Sequence, residues 1–283
     1  MKLSVIIPTC NRSNLLIHCL SALYVNVLSI NNRFECEVIV TDDSSDEETK
    51  TLIQQQYTWV KWVKGPRKGP AANRNNGVKN ADGDWYLFID DDCLPDTEIL
   101  TEYYNAISAN PEMRAFEGRI YVDGPKKSFL HESPINETGG FFWSCNICIQ
   151  KDLFYQLKGF DEQFPFAAME DVDLFRRLRQ ITDKHAFLFN ASVVHPWRLN
   201  RNLIKTTLKR HASQEYYIQK HPEEAKRLNA MRHFRYFVKN NLYLVTHAWK
   251  YRFSGFGTLL YCNFLQLYFC FKTLLKSRPD KAS

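Results

Sequence analysis

The sequence predicts an α/β protein, with a Rossmann-like, mostly parallel sheet flanked by helices over residues 1–197 and a basic, helical C-terminal appendage over residues 198–283. Three observations predict it. Apolar runs of strand length alternate with segments of helical periodicity, the pattern of parallel strands joined by helical crossovers. Polar and acidic residues gather directly after those runs, where an open α/β sheet places its ligand. Charge then divides the chain: residues 1–197 hold 20 Lys and Arg against 27 Asp and Glu, and residues 198–283 hold 17 against 4.

The elements follow in order. Leu3–Ile7 is a continuous apolar run, as in a strand buried on both faces. Ser13 is placed to cap a helix whose Leu16, Leu20, Leu23 and Val27 recur at helical spacing. Glu37–Thr41 is the next strand, and Ser45 with Glu48 has the spacing of a capping box for a helix ending near Gln56. Trp59–Val63 is a third strand, Ala71–Asn80 a short helix, Trp85–Ile89 a fourth strand and Pro95–Ala109 another helix. Strands near 116–122 and 142–149, a helix near 152–157 and a helix over Asp171–Gln180 complete the domain. Beyond Trp197 the pattern is helical and basic.

Composition sets bounds. With 45% hydrophobic and 24% charged residues, the chain is neither disordered nor fibrous. Its eight cysteines are scattered through apolar stretches and read as buried thiols in a reducing compartment. Cys145 and Cys148, on a predicted strand, would point to opposite faces. Lys2 leads at once into a strand, with no room for a signal sequence. Neither Gly-x-Gly-x-x-Gly nor Gly-x-x-x-x-Gly-Lys-Ser/Thr is present, which argues against ordinary dinucleotide and phosphate-loop sites.

The chemistry lies at the strand ends. Asp90-Asp91-Asp92 follows the fourth strand. Three adjacent carboxylates repel unless a cation binds them, so the triplet reads as a metal–diphosphate site or as a solvated acidic turn. Asp42 and Asp43 offer acceptors to a nucleobase and ribose, or serve helix capping. Arg74, with its planar fork, suits phosphate or a base carbonyl. Glu170 and Asp171 open a helix, where a fixed carboxylate can act as general base or as part of a capping cluster. His195 reads as a metal ligand or as a core histidine.

Together these segments resemble the family 2 glycosyltransferases, which have the GT-A fold. Val5-Ile-Ile-Pro-Thr-Cys-Asn-Arg12 looks like the family's opening strand and nucleotide loop. Val40-Thr-Asp-Asp-Ser-Ser-Asp-Glu-Glu-Thr49 is similar to its second strand and Asp-Asp-Gly-Ser loop, with Ser44 and Ser45 where a Gly is common. Ala72-Asn-Arg-Asn-x-Gly77 matches its Ala-Arg-Asn-x-Gly pattern. Phe88-Ile-Asp-Asp-Asp92 resembles its Asp-x-Asp motif, and Lys158-Gly-Phe-Asp-Glu162 with Glu170-Asp-x-Asp-Leu-x-x-Arg-Leu178 its acceptor-side segment. The resemblance covers roughly residues 3–197, in the family's order.

The resemblance implies an inverting transfer of one sugar from a nucleoside-diphosphate sugar, UDP-linked by default, to a hydroxyl of a glycan or lipid-linked acceptor. Asp171, with Glu170 beside it, would be the catalytic base. Pro8, Thr9, Asn11, Arg12, Asp42, Asp43, Arg74, Asp90 and Asp91 would line the nucleotide-sugar site. Asp90, Asp92 and His195 would hold Mn²⁺ or Mg²⁺. Trp143 and Asn146 would face the acceptor. The Gln-x-x-Arg-Trp motif of processive synthases is absent. A pyrophosphorylase would carry a Gly-rich loop after the first strand, which Thr9-Cys-Asn-Arg12 lacks, and intact acidic motifs speak against an inactive binding protein.

Phe253–Phe271 contains no charged residue, yet Asn263 and Gln266 lie near its middle and basic residues flank both ends. That pattern fits an interfacial helix or hairpin on an anionic membrane better than a span. The expectation is a cytoplasmic protein, peripheral on a membrane, with no nucleic-acid partner.

Overall fold

The computed structural model describes residues 1–30 and 33–276. The chain divides into two compact units, residues 1–123 with 133–196, and residues 124–132 with 197 onward.

The first unit begins with β1 (Lys2–Thr9), α1 (Ser13–Ser29), β2 (Glu35–Asp42), α2 (Glu48–Gln56), β3 (Val60–Lys64), α3 (Pro70–Lys79) and β4 (Trp85–Ile89). It continues through β5 (Leu94–Pro95), α4 (Ile99–Ala109) and β6 (Ala115–Tyr121). After β7 (His131–Glu132), which lies in the second unit, come β8 (Asn146–Gln150), α5 (Lys151–Gln156), α6 (Glu170–Ile181) and β9 (His185–Val194). Among the described residues the sheet has eight strands in the order β3-β2-β1-β4-β8-β6-β9-β5. β1 pairs in parallel with both β2 and β4, β2 with β3, and β6 with β9, while β8 and β5 run antiparallel to their neighbours.

Period-two alternation along β1 builds a core on each face. Val5 and Ile7 join Leu16 and Leu20 of α1 and Tyr103 of α4, whereas Ile6 joins Ala71 and Val78 of α3 and Leu174 of α6. Each fully buried Leu, Ile or Phe adds about 1.5–3 kcal/mol. Gly77 lets α3 approach the sheet closely, since a Cβ there would lie 2.5 Å from Ile6 Cγ2.

Local signals misled in four places. Ser13 does not cap α1; its hydroxyl donates to Glu48. The Ser45/Glu48 capping box does not form, because Ser45 bonds Asn11 Oδ1 and Asp46 accepts from the Glu48 N–H. Pro95 ends the edge strand β5 instead of opening a helix, and α4 starts at Ile99. The strand expected from 142 starts at Asn146, so Cys145 precedes it and packs in the same core as Cys148.

In the second unit β7 pairs with β10 (Arg198–Leu199), followed by α7 (Leu203–Lys220), a 3₁₀ turn over Pro222–Lys226, α8 (Ala230–His247) and α9 (Phe256–Lys276). Segment 124–132, which the sequence assigns to residues 1–197, thus folds with this unit. Glu132 anchors it, accepting from Arg210 Nη1 at 2.8 Å and Asn200 Nδ2 at 2.7 Å. Phe129, Leu244 and Tyr251 form its small core, and Phe269 stacks on His211 at 3.5 Å between ring centroids. Among the described residues, no helix is long and apolar enough to cross a membrane.

Candidate active site

The parallel strands β1, β2 and β4 deliver the polar segments to one edge of the sheet, with Thr9 in register with Asp42. Pro8 and Thr9 are buried at the end of β1. Asn73 of α3 clips the edge together. Its Nδ2 donates to the carbonyls of Thr9 (3.2 Å) and Thr41 (2.9 Å), and its Oδ1 accepts from Thr41 Oγ1 at 2.6 Å. α3 starts after Gly69, whose φ of +92° suits glycine, with Pro70 in its first turn.

The loops of β1 and β2 interlock. Asp42 is buried and accepts from Trp62 Nε1 at 3.2 Å and from Ser44 N–H at 2.9 Å. Asp43 is half-buried, accepts from the Arg67 N–H at 2.7 Å, and is pushed upward in pKa by burial. Asn11, at φ +52°, accepts from Ser45 and donates its N–H to Ser44 Oγ at 2.7 Å. Ser44 and Ser45, where a glycine is common in the resembled family, thus join the two loops through their side chains.

The aspartate triplet splits three ways. Asp91 turns inward and is fully buried; Arg12 Nη2 reaches its Oδ1 at 2.6 Å and Thr9 Oγ1 its Oδ2 at 2.7 Å. Burial pushes Asp91 up to about 7, against the pull of Arg12. Both Asp91 oxygens are engaged inside the protein, and Arg12 points into the triplet. Asp90 turns to Arg74, whose Nη2 lies 2.7 Å from its Oδ1. Burial would raise Asp90, but the charge and hydrogen bond of Arg74 hold it below its ordinary value. Asp92 faces His195, Oδ1 to Nε2 at 3.5 Å.

Asp92, Cys93 and His195 form the one group among the described residues with metal-ligand spacing, their candidate ligand atoms all within 4.8 Å. In the tautomer that donates Nδ1–H to the Pro196 carbonyl at 3.3 Å, Nε2 turns its lone pair toward the Asp92 carboxylate. Two ligands on one cation lie roughly 3–3.5 Å apart, so this carboxylate–imidazole pair fits a divalent ion. The Cys93 thiol donates to the Cys145 carbonyl, and burial drives its pKa well up, making it the poorest donor of the three. Asp90 lies outside this group, drawn off by Arg74.

Arg74 also links the triplet to the second acidic segment. Its Nη1 lies 3.4 Å from Glu170 Oε1, and the guanidinium is almost wholly buried. Burial and the adjacent charge of Asp171 raise Glu170 to about 7. Met169 stands before Glu170 at φ +74°, a conformation that costs a non-glycine residue about 1–2 kcal/mol. Asp171 accepts from the N–H of Val172 at 2.8 Å and from the backbone N–H of Ser144, and burial raises its pKa. The rest of the motif is scaffolding. Asp173 pairs with Arg177 at 2.7 Å, Arg177 donates to the carbonyls of Leu157 and Gly159, and Asn75 brackets Phe160 with an N–H and a carbonyl contact.

Glu117, not foreseen from the sequence, organises the loop beside Asp171. This buried carboxylate accepts from the backbone N–H groups of Gly140, Phe141 and Phe142 and from Asn136 Nδ2. The loop carries Phe142 at φ +53° into the core against Phe175, leaves Phe141 exposed, and sets Trp143 half-buried against the opposite core, with the Phe141 and Trp143 ring centroids 4.7 Å apart. Asn146 is fully buried and spends its amide on Arg119, Ala191 and Tyr103, which ties strands together.

Known proteins are similar to this chain in sequence and fold. The profile of Glycosyl transferase family 2 matches residues 4–174, more than half of the chain. The chain belongs to that family. Its sheet and flanking helices are a GT-A fold. The GalNAc(5)-diNAcBac-PP-undecaprenol beta-1,3-glucosyltransferase of Campylobacter jejuni is 36% identical over 129 residues, spanning 44% of this chain and 37% of that relative. The chain thus spans only about a third of the length of the Campylobacter relative it matches. A mannosyltransferase from Pyrobaculum calidifontis, solved with GDP-Man and Mn²⁺, superposes with a TM-score of 0.60 at 15% identity, covering 98% of this chain and 88% of its own. S. aureus TarS, solved with UDP-GlcNAc, gives 0.57 at 21% identity, covering 72% and 61%. At these identities the two solved structures establish the fold.

Proposed function

We propose that this protein is a glycosyltransferase that adds a single sugar, with inversion, from a nucleoside-diphosphate sugar to a hydroxyl of a glycan or lipid-linked acceptor in polysaccharide or glycoconjugate synthesis. The observation that carries the reading is the buried Arg74 bridge, which joins Asp90 of the triplet to Glu170, next to Asp171. A donor-side acidic site and a candidate base are thereby held in one charge network.

In this reading the Asp171 carboxylate takes the proton of the acceptor hydroxyl as its oxygen attacks the anomeric carbon. The bond from that carbon to the diphosphate oxygen breaks, and its electron pair leaves with the nucleoside diphosphate. Asp92 and His195 would hold Mn²⁺ or Mg²⁺, which when bound neutralises charge on the diphosphate. Asp43, with Asn11 on the rim, would receive the base and ribose, and Arg74 keeps Asp90 and Glu170 in place. Trp143 would supply a face for the acceptor sugar.

The Campylobacter relative is named for a PP-undecaprenol substrate, which supports a lipid-linked acceptor and a cytoplasmic protein peripheral on a membrane. A screen of UDP- and GDP-sugars with purified protein, with Mn²⁺ or Mg²⁺, reads nucleotide release. Release from one donor, suppressed by chelator and accelerated by an acceptor extract, is expected. Silence with every donor in both ions would overturn the reading.

A further inference from the structure

Helix α8 has two apolar faces, and only one of them is used. His233, Leu244 and Tyr251 just beyond it are buried. A second stripe, Phe234, Val238, Leu242, Val245 and Trp249, recurs at spacings of three and four and stays exposed, from 44% at Phe234 to 83% at Trp249. At 3.6 residues per turn this stripe spans an arc of roughly 80°, well apart from the buried face. Arg235 and Lys239 lie exposed along one flank of it. On α9 the exposed Phe264, Tyr268 and Phe271 repeat the pattern opposite Cys262 and Phe269, which are buried. Phe237 connects the two stripes, its ring 6.4 Å from Phe234 and 6.1 Å from Phe264.

Charge says what covers this face. From Ala225 to Lys276 the sequence contains no Asp or Glu, while Arg232, Arg235, Lys239, Lys250 and Arg252 cluster on and after α8. A second copy of the chain would bring like charges together, which disfavours self-pairing. An anionic bilayer instead offers negative charge to the basic flank and hydrocarbon to the stripe, with Trp and Tyr suited to the headgroup level.

We propose that the α8–α9 face is a docking surface for anionic lipid, with α8 lying in the plane of the interface. This deepens the membrane partner of the proposed function, but it stands on the second unit alone. The apolar stripe supplies a salt-resistant part of the binding and the basic flank a salt-sensitive part.

The test is flotation of the full chain with vesicles of phosphatidylcholine mixed with phosphatidylglycerol, and of phosphatidylcholine alone, at low and high salt. The protein is expected to float with the mixed vesicles and to be released in part by salt. Leu242→Glu with Val245→Glu should weaken partitioning about tenfold or more. Arg235→Glu with Lys239→Glu should erase the preference for phosphatidylglycerol. UDP binding by calorimetry and helicity by circular dichroism are followed on the same samples and should not change, so failure of docking is distinguishable from failure of the catalytic reading. Three outcomes would overturn the proposal: no flotation at low salt, equal salt-resistant flotation with both vesicles, or a wild-type dimer that the Leu242→Glu/Val245→Glu variant converts to monomer.

Discussion

Substituting Arg74 by methionine removes one charge and keeps most of the side-chain volume. Two carboxylates then lose their partner: Asp90, at 2.7 Å from the guanidinium, and Glu170, at 3.4 Å. All three side chains are largely withdrawn from solvent, so breaking the network falls in the range of buried pairs, about 3–5 kcal/mol. For a domain of this size each kcal/mol moves Tm by about 2–4 °C, which gives a fall of roughly 6–20 °C. Scanning calorimetry of the full chain reads it. Glu170 titrates at about 7 because burial and Asp171 disfavour its charge. Below that pH the neutral acid needs no cation, so the loss should be smaller in acid than in base. Adding Asp90→Asn and Glu170→Gln to Arg74→Met leaves no unpaired charge and should recover most of the stability. A single variant that melts within about 2 °C of wild type, or a triple variant no better than the single, would refute the buried network.

Further predictions concern the chemistry. Asp171→Asn should lower turnover by about 10²–10⁴-fold while UDP affinity by calorimetry is retained, since a general base acts on the acceptor. An equal loss in both would put Asp171 in the donor site. Glu117→Gln turns an amide NH₂ toward the N–H donors of the 140–142 loop, each conflict costing about 1–3 kcal/mol, and should raise the acceptor KM with UDP binding unchanged. Burial raises Asp171, and the base must be ionised to accept a proton. The acid limb of kcat/KM should therefore fall at higher pH than the roughly 3.9 of an ordinary Asp, and a profile flat through that region would contradict the assignment.

What could be read in the sequence was what depends on neighbours along the chain. Trp85–Ile89 is a run of apolar residues with acidic residues directly after it, and β4 and its triplet follow from that alone. The Rossmann-like alternation of β1 to β4 was legible for the same reason. Long-range hydrogen bonds were not. Ser13 and Ser45 have good local capping patterns, yet Glu48 and Asn11, distant in sequence, compete for their side chains. Leu94-Pro95 looks like a helix start, but Pro is equally at home on the edge strand that β9 accepts. Asp91 and Asp92 are identical in kind; only the positions of Arg12, Thr9 and His195 turn one inward and the other toward an imidazole. The asparagine at 73 could have drawn notice, as a polar residue amid the resembled Ala-Arg-Asn-x-Gly pattern. Nothing local marks Glu117, whose four donors come from a loop some twenty residues later.

Calorimetric titration of UDP and GDP into the full chain, with Mn²⁺ and then with chelator, measures whether an ion at Asp92 and His195 holds the nucleotide. One nucleotide should bind with the ion present. Chelator and Asp92→Asn should each weaken that binding strongly, while the melting temperature of Asp92→Asn stays near wild type. Unchanged affinity in chelator and in Asp92→Asn would contradict that role of the ion.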